Sequence, residues 1–139
     1  MPRGSCLCGK LTYSYDNAVM KCICHCLTCR KLTGSTYATT LLVPEDSLKT
    51  STNPPLVTDA VHEVGMKMQF HGCDSCPSTL YKTAAGFPNM KIVFAGTLDG
   101  NDDIATEGKP GGELWVKYRV PWLKPLEGCR QFEEFPTAN

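Results

Sequence analysis

The most chemically suggestive feature of the chain is a set of cysteines that stand close together in sequence. Seven of its nine cysteines fall into three groups: Cys6-x-Cys8, Cys24-x-Cys26-x-x-Cys29 and Cys73-x-x-Cys76. Two thiolates one or two residues apart on a tight turn can both reach one metal ion at about 2.3 Å. A structural zinc takes four ligands, so the first and third groups together predict one closed site that joins distant strands.

The middle group then remains as a trio of cysteines. Three protein ligands and one exchangeable position are the coordination of a catalytic zinc. Two alternatives stay open at this point. Cys22 or Cys129 could complete a second closed structural site, or Cys22 and the trio could hold an iron–sulfur cluster, although their spacing does not match the usual cluster-binding runs.

Charge and hydrophobicity limit the classes of partner and the cellular compartment that we expect. Fourteen basic residues balance fourteen acidic ones, without a basic stripe interleaved with aromatics, so we expect no nucleic-acid partner. We expect no signal peptide and no membrane partner, since the N-terminus is not apolar and eighteen apolar residues never run together. A cytoplasmic location follows, where thiols stay reduced and dense cysteine indicates metal. A disulfide framework in a secreted domain is the alternative.

The elements that must position these cysteines are mostly strands. Apolar and polar residues alternate with period two in several segments, and others are rich in Thr, Val, Ile and aromatics. These segments are 11–15, 35–43, 64–70, 91–95 and 114–120. Only Cys26–Leu32 and Pro44–Leu48 favour a short helical turn. We interpret 99–103 as a turn, since Ile104 and Pro110 stand where a calcium loop needs Gly and Glu.

These patterns predict a mainly β fold of small, mostly antiparallel sheets. At 139 residues the chain is long enough for one domain with a core and short for two, so residues 1–139 are interpreted as a single domain.

The cysteine motifs, taken with their neighbours, resemble a known family. The segments concerned are Gly4–Tyr13, Cys24–Gly34 and Cys73–Tyr81, with Gly96–Asp99 and Pro121–Leu123 further on. Together they are similar to the family of glutathione-dependent formaldehyde-activating enzymes, which also includes centromere protein V. The core motifs thus run over residues 4–123. Pro77 and the pair His71-Gly72 depart from the usual pattern around the third group, and the short chain looks more like compact fungal relatives.

The resemblance implies a zinc-stapled β-tent (Mss4-like) fold and two zinc ions per chain. The structural zinc would lie on Cys6, Cys8, Cys73 and Cys76, and a catalytic zinc on Cys24, Cys26 and Cys29. A glutathione thiol or its adduct would bind near the second zinc, which makes the chain a candidate carbon–sulfur lyase. A non-catalytic zinc module that binds a protein or nucleic-acid partner is the alternative function, as the centromeric relative suggests.

For the other polar residues near the motifs we expect no direct part in metal binding. His25 stands between two cysteines of the trio, so its ring is expected to point away from their shared metal. His62 and His71 are interpreted as ordinary polar residues. Arg30 and Lys31 follow the trio, and they form either a solvated basic turn or a cationic environment for a negatively charged metal site. The residue that transfers a proton is not identified by the sequence.

Overall fold

The computed structural model describes residues 1–136. Its strands are β1 (Arg3–Ser5), β2 (Thr12–Tyr15), β3 (Met20–Cys24), β4 (Ala38–Pro44), β5 (Leu48–Thr50), β6 (Leu56–Val61), β7 (Lys67–Gly72), β8 (Thr79–Ala84), β9 (Met90–Phe94), β10 (Gly112–Leu114) and β11 (Arg130–Gln131). They form one sheet of three strands, in the order β1-β2-β5, and one of eight, in the order β11-β10-β3-β4-β9-β8-β7-β6.

The predicted mainly β class is confirmed, and most neighbouring strands are antiparallel. β10 differs, since it runs parallel to both β3 and β11. The strand predicted over 114–120 is wrong beyond Leu114. Trp115 adopts a left-handed conformation with φ 58°, which turns the chain out of the extended path, and Val116–Tyr118 form a 3₁₀ turn.

Two short α-helices complete the fold: α1 (Leu27–Thr33) and α2 (Asn101–Glu107). The helical turns predicted over Cys26–Leu32 and Pro44–Leu48 are confirmed, the second as a 3₁₀ turn at Glu45–Ser47. The turn predicted at 99–103 is wrong, because α2 begins inside it. Ile104 packs against a buried apolar cluster, and this tertiary contact stabilises a helix that its polar sequence did not indicate.

The core divides into two clusters, and each contains one set of cysteines. The first cluster includes Cys6 and Cys73, and the second includes the trio and Cys22. β4 contributes to both, since Leu41 and Val43 pack in the first and Leu42 packs against the second. Because successive side chains of a strand point to opposite faces, the large sheet separates the two cysteine sites. Among residues 1–136, neither helix has the length and apolar character needed to cross a membrane.

Candidate metal centres

The first and third cysteine groups come together as the sequence predicts. The Sγ atoms of Cys6, Cys8, Cys73 and Cys76 all lie within 4.8 Å of one another. Cys8 Sγ is 3.6 Å from Cys6 Sγ and 3.7 Å from Cys73 Sγ. A tetrahedral ion with Zn–S distances of about 2.3 Å separates its sulfurs by about 3.8 Å. These four thiols therefore fit a structural zinc in number, type and spacing.

Backbone N–H groups support this first site. Leu11 N–H donates to Cys6 Sγ and Ser75 N–H donates to Cys73 Sγ, each at 3.3 Å. At Cys6 burial alone would raise the pKa of the thiol, but the bond from Leu11 and the neighbouring sulfurs lower it, which favours the thiolate that a metal requires. The two departures from the family pattern leave the four sulfurs together. A Cβ at Gly72 would lie 2.5 Å from Ser78 O, so glycine at this position permits the close approach of the two strands that flank the motif.

The middle group forms a second, buried cluster, in which the Sγ atoms of Cys24, Cys26 and Cys29 lie within 4.8 Å of one another. Cys24 ends β3, and Cys26 is the N-cap of α1, where its sulfur accepts the N–H of Cys29 at 3.3 Å. Residues three apart at the start of a helix share a face, and this brings the last two sulfurs to the same side. Three thiols at this spacing fit a zinc with one position left for another ligand.

Neither of the two remaining cysteines joins the trio. Cys22 Sγ lies 3.4 Å from the hydroxyl of Thr40, and Cys129 S–H donates to the carbonyl of Pro110 at 3.2 Å. The closed second site and the iron–sulfur arrangement, which need Cys22 or Cys129 as a ligand, therefore have no support among the described residues.

A buried lysine contacts the trio. Lys82 of β8 is 7% exposed, and its Nζ donates to Cys29 Sγ at 3.7 Å. Burial by itself would lower the pKa of Lys82, but the negative charge on Cys29, Cys24 and Cys26 outweighs it and raises the pKa. Lys82 is therefore a fixed positive charge against the sulfurs. Arg30 and Lys31, the cations named from sequence, lie instead in the last turn of α1.

Three thiols this close do not ionise independently. Hydrogen bonds from Cys24 and Cys26, with the charge of Lys82, lower the pKa of Cys29 well below its usual range. The same contacts with neighbouring sulfurs raise the pKa of Cys24, because a second charge would lie directly beside the first. The cluster thus favours a negative charge on Cys29, the sulfur that Lys82 contacts.

His62 and Glu63, in the turn between β6 and β7, form the outer side of this site. One nitrogen of His62, one carboxylate oxygen of Glu63 and Cys26 Sγ lie within 4.8 Å of one another. Glu63 accepts hydrogen bonds from Leu27 N–H at 2.7 Å and from the Thr28 hydroxyl at 2.7 Å, so it fixes this turn to the start of α1. These two residues belong to the site, although sequence reasoning gave His62 no role.

His62 presents an N–H group that has no acceptor in hydrogen-bond geometry. Its Nδ1 accepts the N–H of Val64 at 3.2 Å, which leaves the ring proton on Nε2. Nε2 is buried, and Glu63 Oε1 lies 3.0 Å away but outside the direction of a hydrogen bond. A buried donor without an acceptor is costly, so His62 is suited to bind an oxygen atom that arrives with a ligand.

His25 points away from the trio, as the sequence predicts. Its Nε2 lies 2.8 Å from Glu113 Oε1 of β10, and both side chains are buried. Glu113 also accepts from Leu126 N–H and from Gln131 Nε2, each at 2.8 Å. This buried carboxylate therefore links the cysteine-bearing segment to β10 and to the C-terminal part of the chain.

Comparison with known proteins agrees with the arrangement of cysteines. The chain matches the family described as "Glutathione-dependent formaldehyde-activating enzyme" over residues 1–118, and it belongs to this family. A solved structure of a Rhodobacter sphaeroides protein from a structural genomics programme is similar, with a TM-score of 0.55 and 19% identity over 78% of this chain and 96% of that chain. That likeness shows the fold alone. Comparison with curated proteins gives no match.

Membership of this family supports an enzymatic role that involves glutathione, and the cysteine clusters are consistent with zinc binding. The resemblance to compact fungal members in particular stays a prediction.

Proposed function

We propose that the chain, as one domain over residues 1–139, is a cytoplasmic zinc-dependent carbon–sulfur lyase. It forms or cleaves adducts between glutathione, or a similar thiol, and a carbonyl or other electrophilic carbon. The structural zinc is assigned to Cys6, Cys8, Cys73 and Cys76 and the catalytic zinc to Cys24, Cys26 and Cys29. The observation that carries this proposal is the buried trio of sulfurs, with Lys82 Nζ against Cys29 and, beside Cys26, a His62 whose buried Nε2–H makes no hydrogen bond.

The choice of a sulfur substrate follows from the donor set. Zinc bound there would hold an incoming glutathione sulfur as a thiolate at neutral pH, at which the free thiol, with a pKa of about 8.5, is mostly protonated. Three thiolates and a divalent ion leave a formal charge of −1, which opposes the approach of another anion. Lys82 supplies the compensating positive charge at 3.7 Å from Cys29 Sγ.

His62 is assigned to the oxygen of the electrophile. When an adduct forms, sulfur bonds to the carbonyl carbon, the thiol loses its proton and the carbonyl oxygen gains one; cleavage reverses each change, so no oxidant or reductant is needed. Developing negative charge on that oxygen would be stabilised by the Nε2–H donor of His62, whose ring lies beside Cys26. Glu63, bonded to the first residues of α1, positions this turn against the trio.

The test compares release of free thiol from a panel of glutathione adducts with and without the protein. We expect acceleration by the zinc-loaded protein and none by Cys26→Ser. Cys129→Ser is the matched control, because it removes a thiol outside both clusters and should retain activity. Equal rates for Cys26→Ser and the unaltered protein across the panel, with no change at the second metal on adding glutathione, would favour a non-catalytic binding module.

A further inference from the structure

A narrow apolar cavity of about 40 Å³ opens beside the second cysteine cluster. Cys24 and Lys82 form the part of its wall that borders the metal site. The rest is formed mainly by apolar side chains from β3, β4, β9 and the C-terminal segment, among them Met20, Leu42, Ile92 and Phe135. A group that projects from the reacting carbon would therefore meet this cavity.

The few polar groups in the wall already have partners. The Thr40 hydroxyl bonds to the carbonyl of Cys22 at 3.3 Å and to its sulfur at 3.4 Å, and Lys82 Nζ donates to Cys29 Sγ. The Thr40 hydroxyl is thus satisfied within the wall, and the hydrogen bond of Lys82 Nζ is directed toward the cysteine trio. An apolar cavity of this kind does not hold water well, so burying a hydrocarbon group in it is favourable.

The volume limits the size of that group. A cavity must offer at least about 10–15 Å³ to hold one water molecule, so this one has room for roughly three atoms of that size. Phe135 closes one side, with its ring 5.7 Å from that of Phe87 and 5.3 Å from that of Trp115. Phe87 and Phe135 of the wall are thus packed together, and Phe135 also packs on Trp115 outside it, so a longer substituent would have to displace this aromatic group.

Resting on the lyase function proposed above, we propose that this cavity holds the hydrocarbon substituent of the electrophile. The preferred substrates are glutathione adducts of short aliphatic aldehydes with about two to four carbons. Formaldehyde leaves the cavity empty, whereas aldehydes with long, branched or aromatic substituents do not fit. The covalent step is unchanged: sulfur adds to the aldehyde carbon and a proton moves to the oxygen, or the reverse.

The first test measures kcat/KM for glutathione with straight-chain aldehydes of one to six carbons, above the uncatalysed rate. We expect a gain of about fourfold for each added methylene up to the limit of the cavity, followed by a fall. The second measures the affinity of S-methyl to S-hexyl glutathione by calorimetry, where the same optimum should appear without turnover.

Variants then test whether this cavity sets the preferred chain length. Leu42→Ala enlarges the cavity and should move both optima to longer chains, while Ala84→Leu should fill it and move them to shorter ones. Leu56→Ala is the control, since Leu56 is half-exposed on β6 and outside the cavity. A flat profile, or one that falls steadily from formaldehyde, would overturn the inference and leave the lyase function standing. Absence of turnover for every aldehyde at full metal content would refute the lyase function itself.

Discussion

Replacing Lys82 with Met should weaken metal binding at the second cysteine cluster and leave the first unchanged. Met keeps most of the volume of the side chain and removes its charge. In the native chain Nζ lies 3.7 Å from Cys29 Sγ, in a buried setting. At an effective dielectric constant of about 20, opposite unit charges at this distance attract by about 4 kcal/mol.

The loss expected in metal affinity is smaller than this attraction. Met no longer incurs the cost of burying an ammonium group, which offsets part of the lost attraction. The rest of the lost attraction destabilises mainly the metal-bound form. Free thiols can take up protons and so avoid an uncompensated negative charge, whereas metal-bound thiolates cannot. We expect about tenfold to hundredfold weaker binding, the range usual when a group supporting a metal ligand is removed.

Competition with a chromophoric chelator, which resolves the two metals by their affinities, measures the effect. The first site serves as an internal reference, and Lys49→Met, at an exposed position of β5, controls for loss of a positive charge. The mechanism assigned to Lys82 is refuted if a folded Lys82→Met protein retains its second metal as tightly as Lys49→Met does.

Three further predictions concern the proposed metal sites and the stability of the protein at low pH. Elemental analysis of protein purified under reducing conditions should give close to two zinc ions per chain; one ion, with three clustered thiols free to titrate, would exclude the two-site assignment. Cys73→Ser should prevent stable folding, because structural zinc contributes on the order of 10 kcal/mol, whereas Cys26→Ser should fold and lack activity; equally low melting temperatures would remove the distinction. Burial opposes ionisation of Glu113, but hydrogen bonds from His25 and Gln131 prevail and lower its pKa from 4.5 to about 2. The stability that the ionised carboxylate provides is present above pH 4.5 and is lost as the pH falls toward 2. Glu113→Gln should therefore lower the free energy of unfolding by about 3 kcal/mol in denaturant near pH 6, and by progressively less below pH 4.5. A difference between the two proteins that does not depend on pH would contradict this.

The sequence predicts the cysteine clusters well because their members are close neighbours along the chain. Two cysteines separated by one or two residues must lie near each other, and only the pairing of the first and third groups required a long-range inference. Lys82 and His62 could not be assigned in this way, since β8 and β6 were not predicted as strands. The sequence does hold one signal for Lys82: it alternates with Leu80 and Ala84, so in a strand it shares a face with two apolar residues, and all three are buried in β8.

Tertiary context also explains the errors in secondary structure. The alternation over 114–120 has the period of a strand, but the left-handed Trp115 ends β10 at Leu114. Its ring is buried in the second cluster, with its centroid 5.1 Å from that of His62. The burial of the Trp115 ring beside the second cysteine cluster thus goes with a left-handed backbone conformation, which an alternating sequence pattern cannot indicate.

The two cysteine clusters are linked through β8, and we expect this link to make their contributions to stability unequal. Cys73 follows β7 directly, and β8 begins at Thr79, so the third cysteine group forms the connection between these strands. The pairing of the two strands shifts register at His71 and Gly72, beside that connection, and then places Lys82 opposite Phe70. A metal on the first site would fix this connection, and with it the position of Lys82 against the trio. The trio itself is confined to β3 and the start of α1, which carry none of the cysteines of the first cluster. Losing the first metal should therefore disturb both sites, whereas losing the second should disturb one.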